Sequence, residues 1–212
     1  MTRPPFFRMA DICLIMLLAL PRPALAESLT PHAATRYIAD MGDRAVAVLA
    51  RQGSAETRTA EFARLMLDAI DFDAVATAPL GRMARTVTPQ NRREFTQLFA
   101  AHLIDVAIDR FGNIQIVRFA VDAGRPQPNG DVKVHSVIER AGDQPLMVDW
   151  RVRLTDGNPK INDIEVEGYS LVIHYRGEFE RGSVSSVPGL ISKLKDLNQR
   201  SGSLSTVQRE LK

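Results

Sequence analysis

Four histidines, His32, His102, His135 and His174, are the side chains best suited to proton transfer near neutral pH. None stands three or four residues from another, so no helical face offers a histidine pair for zinc. His102 falls on an apolar helical stripe and reads as a core or rim histidine. His135 and His174 could converge with Asp163 and Tyr175 in an acid–base site, which keeps an enzyme open as the alternative reading. Ser170 follows Gly168-Tyr169, but the second glycine of a nucleophile elbow is missing, and Ser170 suits a helix cap better. Arg82, Arg85, Arg92 and Arg93 gather around a helix start. They make either a solvated face or a rim for a phosphate head group or an acidic partner. No glycine-rich phosphate loop is present.

The elements that would position these groups follow from apolar spacing. Thr30-Pro31 starts a helix, with Thr as cap and Pro in its first turn. Tyr37, Met41, Ala45, Val48 and Leu49 line one face of it, weakened by Gly42 and ended by Gly53. A second helix runs from Ala55 to Ile70 with Phe62, Leu65 and Met66 inward. Residues 71–86 read as short helical turns broken at Pro79 and Gly81. Thr88-Pro89 starts a long helix to Phe111, with Gly112 as its stop. Phe95, Leu98, Phe99, His102, Leu103 and Val106 form its stripe, widened by Ala101, Ile104 and Ile108.

From Asn113 the period changes from helical to two. Strands are expected at 114–121, with a bulge near Val117, then over Val132–Glu139, Leu146–Leu154 and Ile161–Val166. GRPQPNG (124–130), Ala141-Gly142-Asp143 and TDGNP (155–159) turn the chain. Strict alternation in Leu146, Val148, Trp150, Val152 and Leu154 buries one face. After Gly168, helical spacing returns at Leu171, Val172, Tyr175 and Phe179, and a last helix covers Pro188–Leu197. The order is helices, antiparallel meander, helices: an α+β fold with helices packed on one face of a four- to five-stranded twisted sheet. A solid core and a core enclosing an elongated cavity both fit this pattern.

The termini set the compartment. Arg3 and Arg8, the nine apolar residues from Ile12 to Leu20 and the Ala24-Leu25-Ala26 signature make 1–26 a cleavable secretory signal, too short to span a bilayer. Cleavage leaves 24 basic and 24 acidic residues, so the formal net charge falls from +2 to zero. No pull toward nucleic acid is implied. Cys13, the one cysteine, lies in the signal, so the exported chain has neither disulfide nor thiolate site. The expected division is a signal at 1–26, a domain over 27–199 and a polar tail at 200–212.

One resemblance gathers these features. Phe72, Leu80-Gly81, Thr88-x-Gln90-x4-Phe95, Asp163-x4-Gly168-x-Ser170-Leu171 and Tyr175-Arg176-x2-Phe179 occur in this order across residues 30–198. In this the chain resembles the MlaC/toluene-tolerance family of periplasmic phospholipid carriers. The resemblance implies an NTF2-like α+β fold with an apolar cavity that holds acyl chains and leaves the head group outside. It implies no catalysis, no cofactor beyond the lipid cargo, and transport in the periplasm between an outer-membrane lipoprotein complex and an inner-membrane ABC transporter. A hopanoid-associated branch of the family makes a hopanoid-related amphiphile the alternative cargo. The apolar faces nominate the lining: Phe95, Phe99, Leu103 and Val106 from the long helix, Val148, Trp150 and Val152 from the strict strand, and Leu171, Val172 and Tyr175 after Gly168. The enzyme reading would instead use His135, Asp163 and His174.

Overall fold

A computed structural model describes residues 28–111, 115–182 and 186–201. The expected signal at 1–26 lies outside them, as does the tail beyond Ser201. Among the described residues six helices accompany one open antiparallel sheet. The helices are α1 (Pro31–Ala50), α2 (Ala55–Ala69), α3 (Phe72–Leu80), α4 (Pro89–Phe111), α5 (Leu171–Arg181) and α6 (Val187–Ser201). A 3-10 turn, Gly81–Arg85, joins α3 to α4.

Local chemistry explains the helix starts. Thr30 accepts from the Ala33 amide, Ser54 from Thr57, Asp71 from Ala74, Thr88 from Asn91 and Ser170 from Ile173. Each satisfies one amide that has no partner within its helix. Pro79 near the end of α3 and Gly81, with φ of 53°, stop that helix where the sequence places a break.

The strands are β1 (Ile116–Val121), β2 (Arg125–Pro126), β3 (Val132–Arg140), β4 (Leu146–Thr155), β5 (Asn158–Val166) and β6 (Tyr169–Ser170). Their order is β1-β3-β4-β5-β6, with β2 beside β1 on the same edge of β3. The bulge expected near Val117 is present, because the β1–β3 register shifts between Ile116 and Arg118. Two details differ from expectation. The β4–β5 turn is only Asp156-Gly157, both at positive φ, so Asn158 and Pro159 pair as strand. Glu167-Gly168 makes a second two-residue turn of this kind, and it adds β6 as a short sixth strand.

Alternation sorts the sheet into two faces. Val132, Val134, Ser136 and Ile138 of β3 and Val148 and Val152 of β4 are buried toward the helices. The opposite face carries a charged ladder: Lys133 to Glu165 at 2.6 Å, Arg151 to Glu165 at 3.0 Å and His135 to Asp149 at 2.8 Å. At the turn before β3, Arg153 clamps the buried Asp131 at 2.6 Å and 3.2 Å. Burial alone would raise the Asp131 pKa, but hydrogen bonds from Arg153, Asn162 and Asn129 outweigh it and hold the carboxyl below its usual range.

Several contacts tie the helical layer to the sheet, those of Asp71 and Phe119 among them. Asp71 donates its amide to the Ile161 carbonyl at 2.8 Å, and its carboxylate accepts from Thr155 at 2.9 Å. The Phe119 ring of β1 sits against α1 at Gly42, where an added Cβ would stand 2.0 Å from the ring. The glycine that weakens α1 by propensity is therefore the seat for an aromatic ring.

Candidate functional site

The interior is built from rings. On α4, Phe95 and Phe99 stack with centroids 5.5 Å apart. From α5, Tyr175 meets Phe99 edge-on at 4.9 Å, and Phe179 meets Phe95 at 5.9 Å and Phe99 at 6.0 Å. The backbone of α5 packs chiefly against α3, so these side chains span the distance from α5 to α4. The core continues through Leu103 and Ile104 to Val132, Val134 and Val152 on the sheet.

Trp150 packs against this core and meets Phe119 at 6.4 Å. Its indole N–H donates to Ser136 at 2.8 Å, and the Ser136 hydroxyl donates onward to the Val148 carbonyl at 3.2 Å. The one polar group that the inner face buries on β3 is thereby satisfied, and the indole is fixed in place.

The ten expected lining residues take different places. Phe95, Phe99, Leu103 and Val152 belong to the continuous core, with Trp150 and Tyr175 packed against it. Val148 is 2 % exposed and Ile138 6 %, yet both stand apart from that cluster. Both lie on the half of β3 and β4 that pairs Ser136 with Val148 and Ile138 with Leu146. Leu171 and Val172 are half-buried. Val106 is 39 % exposed, since the stripe of α4 turns outward in its last turns. Sequence reasoning left Phe179, Phe119 and Gly42 out of the site, although the spacing of Phe179 after Tyr175 was visible. Two surface concavities are open to solvent. One of about 250 Å³ lies between α1 and α2 among Arg44, Arg51, Arg64 and Asp68, and one of about 280 Å³ lies at the start of α5 among Glu165, Tyr169, Ile173 and His174. None of the ten residues lines either.

The polar candidates are held by separate partners. Asp163, 4 % exposed, accepts from Ser170 at 2.7 Å and from the Ile164 and Val172 amides at 2.9 Å and 3.3 Å. It locks the start of α5. Arg176 donates to the Ala78 carbonyl of α3 at 2.6 Å. His135 bonds Asp149 on the charged face, and His174 lies edge-on to the Tyr175 ring at 5.2 Å. The expected convergence of His135, Asp163 and His174 is thus not seen as any hydrogen bond among the three. His102 shares a 2.9 Å hydrogen bond with the Tyr175 hydroxyl inside the ring cluster. Burial lowers the His102 pKa and pushes that of Tyr175 up to about 12. Of the four arginines near the start of α4, Arg92 is structural: it bonds Thr77 and the Ala84 carbonyl. Among the described residues no group of three or more His, Cys, Asp or Glu could hold a metal ion, and no helix is long and apolar enough to cross a membrane.

A family model described as MlaC protein matches residues 39–196. The chain belongs to the MlaC family. Its matched span takes in the ring cluster, the inner sheet face and the Asp163–Ser170 lock. No curated protein matches it significantly. A solved structure does: the phospholipid-binding protein from Ralstonia solanacearum, in complex with a phospholipid. It shares 21% identity, with a TM-score of 0.69, over 80% of this chain and 98% of that chain. At that identity the match shows that the MlaC-family member described here has the same fold.

Proposed function

We propose that this protein binds a phospholipid and carries it through the periplasm between the outer and inner membranes. The acyl chains lie between the inner face of the sheet and helices α4 and α5, in an NTF2-like apolar interior, with the head group outside. An outer-membrane lipoprotein complex and an inner-membrane ABC transporter are its donor and acceptor. Family membership and the phospholipid-bound neighbour support the cargo class. Within this molecule, one observation carries the reading: an uninterrupted apolar interior runs from Phe95 through Phe99 and Leu103 to Val152, roofed by a helix that buries only Phe179.

The physics asks for little else. Each methylene kept from water is worth about 0.8 kcal/mol, so a chain of roughly 16 carbons is held out of water by about 13 kcal/mol. A carrier must replace the hydrocarbon environment, and rings and branched aliphatics do so without a catalytic group. The aromatic side chains shift aside for the acyl chains, and the half-buried Leu171, Val172 and Tyr175 border their path.

Uptake from vesicles tests the proposal. The purified protein is incubated with vesicles of phosphatidylethanolamine that include a tail-labelled phospholipid, and the vesicles are then removed by flotation. The label should remain with the protein. Label found only with the vesicles would refute lipid binding.

A further inference from the structure

Helix α5 covers the interior but is the most lightly buried helix: among its eleven residues only Phe179 is buried. Its start is fixed by the Glu167-Gly168 turn and by Ser170 bonded to Asp163. One flank is tied to α3 by Arg176 on the Ala78 carbonyl. Toward α4 it offers rings, whose edge-on contacts at 4.9–6.0 Å favour one arrangement but tolerate a range of offsets. The ring cluster has one polar link among the described residues, His102 Nε2 to the Tyr175 hydroxyl at 2.9 Å.

A hydrogen bond differs from a ring contact because it has one register. With α5 closed, both polar atoms are satisfied. With α5 swung outward, water satisfies both. In between, each is held in apolar surroundings without a partner, which is the unfavourable arrangement. The pair therefore makes the position of α5 two-state rather than graded. Burial keeps His102 neutral and Tyr175 protonated at neutral pH, so no ion pair competes with this bond.

We propose that the His102–Tyr175 hydrogen bond is the latch that holds α5 closed over the interior, and that acyl chains enter by breaking it. The second half rests on the lipid-binding reading above; the first does not. Entry then proceeds at the α4–α5 side, past Tyr175, with the Asp163–Ser170 lock as the fixed end of the moving helix.

Two readouts test the two halves separately. The first is amide hydrogen exchange of α5 in the purified protein. Tyr175→Phe keeps the ring and removes the hydroxyl, and should speed α5 exchange roughly threefold to tenfold, the worth of one hydrogen bond. His102→Leu should do the same, and the double variant should add little to either single. Tyr37→Phe is the control. It removes a hydroxyl bonded to the Ala69 carbonyl at the same 2.9 Å and should leave α5 exchange unchanged. Unchanged α5 exchange in folded Tyr175→Phe or His102→Leu overturns the latch. The second readout is the rate of labelled phospholipid transfer from vesicles, which should rise in the same two variants and not in Tyr37→Phe. Faster α5 exchange without faster transfer overturns entry through the latch. If the unmodified protein takes up no lipid, the lipid-binding reading fails and the latch remains a property of the fold.

Discussion

Ser170 donates its hydroxyl to buried Asp163 at 2.7 Å while accepting the Ile173 amide at 3.1 Å. One side chain thus caps α5 and satisfies a carboxylate beneath it. Ser170→Ala removes both bonds and should cost about 1–3 kcal/mol, the usual range for a lost cap with a buried partner left short. Urea unfolding measures it. A loss within a few tenths of a kcal/mol would show that the lock is not a stabilising contact.

Gly42 and Phe119 give the second prediction. Alanine is a better helix former than glycine by about 1 kcal/mol, so propensity alone predicts that Gly42→Ala stabilises α1. The structure predicts the reverse, since the new Cβ would meet the Phe119 ring at 2.0 Å. Overpacking costs about 1–3 kcal/mol, so against the gain of about 1 kcal/mol the net should be a loss of up to about 2 kcal/mol. A raised unfolding temperature in the variant would contradict the docking of β1 on α1.

The titration of His102 sets the acid side of stability. Burial lowers its folded pKa, which the charge of Asp105 partly offsets and that of Lys193 reinforces. As pH falls below the unfolded value of about 6.5, the unfolded chain takes up a proton before the folded one does. Stability should therefore drop from about pH 6.5 down to the folded pKa and then level off. His102→Gln should flatten that limb in denaturant titrations. On the alkaline side Tyr37 and Tyr175, both pushed up to about 12 by burial, contribute fully below pH 10 and lose that contribution as pH rises toward 12. A wild-type acid limb identical to that of His102→Gln would show that His102 does not govern it.

Leu171 probes the acyl path without striking the main core. It is half-buried and stands in the first turn of α5, where the helix dipole tolerates a carboxylate. Leu171→Asp should keep the circular dichroism spectrum and lose at least tenfold in phospholipid retention. Unchanged retention would remove Leu171 from the path.

Local signals in the chain were legible where one rule acted alone. Thr30-Pro31 and Thr88-Pro89 start helices because cap and proline act together, and the strict alternation of residues 146–154 is a strand with one buried face. The slip at Val117 is a bulge. Less was legible where tertiary contact decides. The ring of Phe119 turns Gly42 from a helix defect into a contact, and nothing nearby in sequence announces it. Asp163 and Arg176 look like partners by charge, but each finds a closer hydrogen bond elsewhere. An apolar face reports burial and not lining; Val106 shows where the stripe leaves the interior. Whether rings fill the interior or border a cavity depends on side-chain packing between helices, which periodicity does not encode.

The central claim is that the interior holds a lipid. Native mass spectrometry of the protein purified from a periplasmic extract, followed by extraction and identification of bound lipid, tests it most directly. The account predicts about one phospholipid per chain, released intact on unfolding. A protein whose mass equals that of the bare chain, and which stays bare after exposure to phospholipid vesicles, would contradict it.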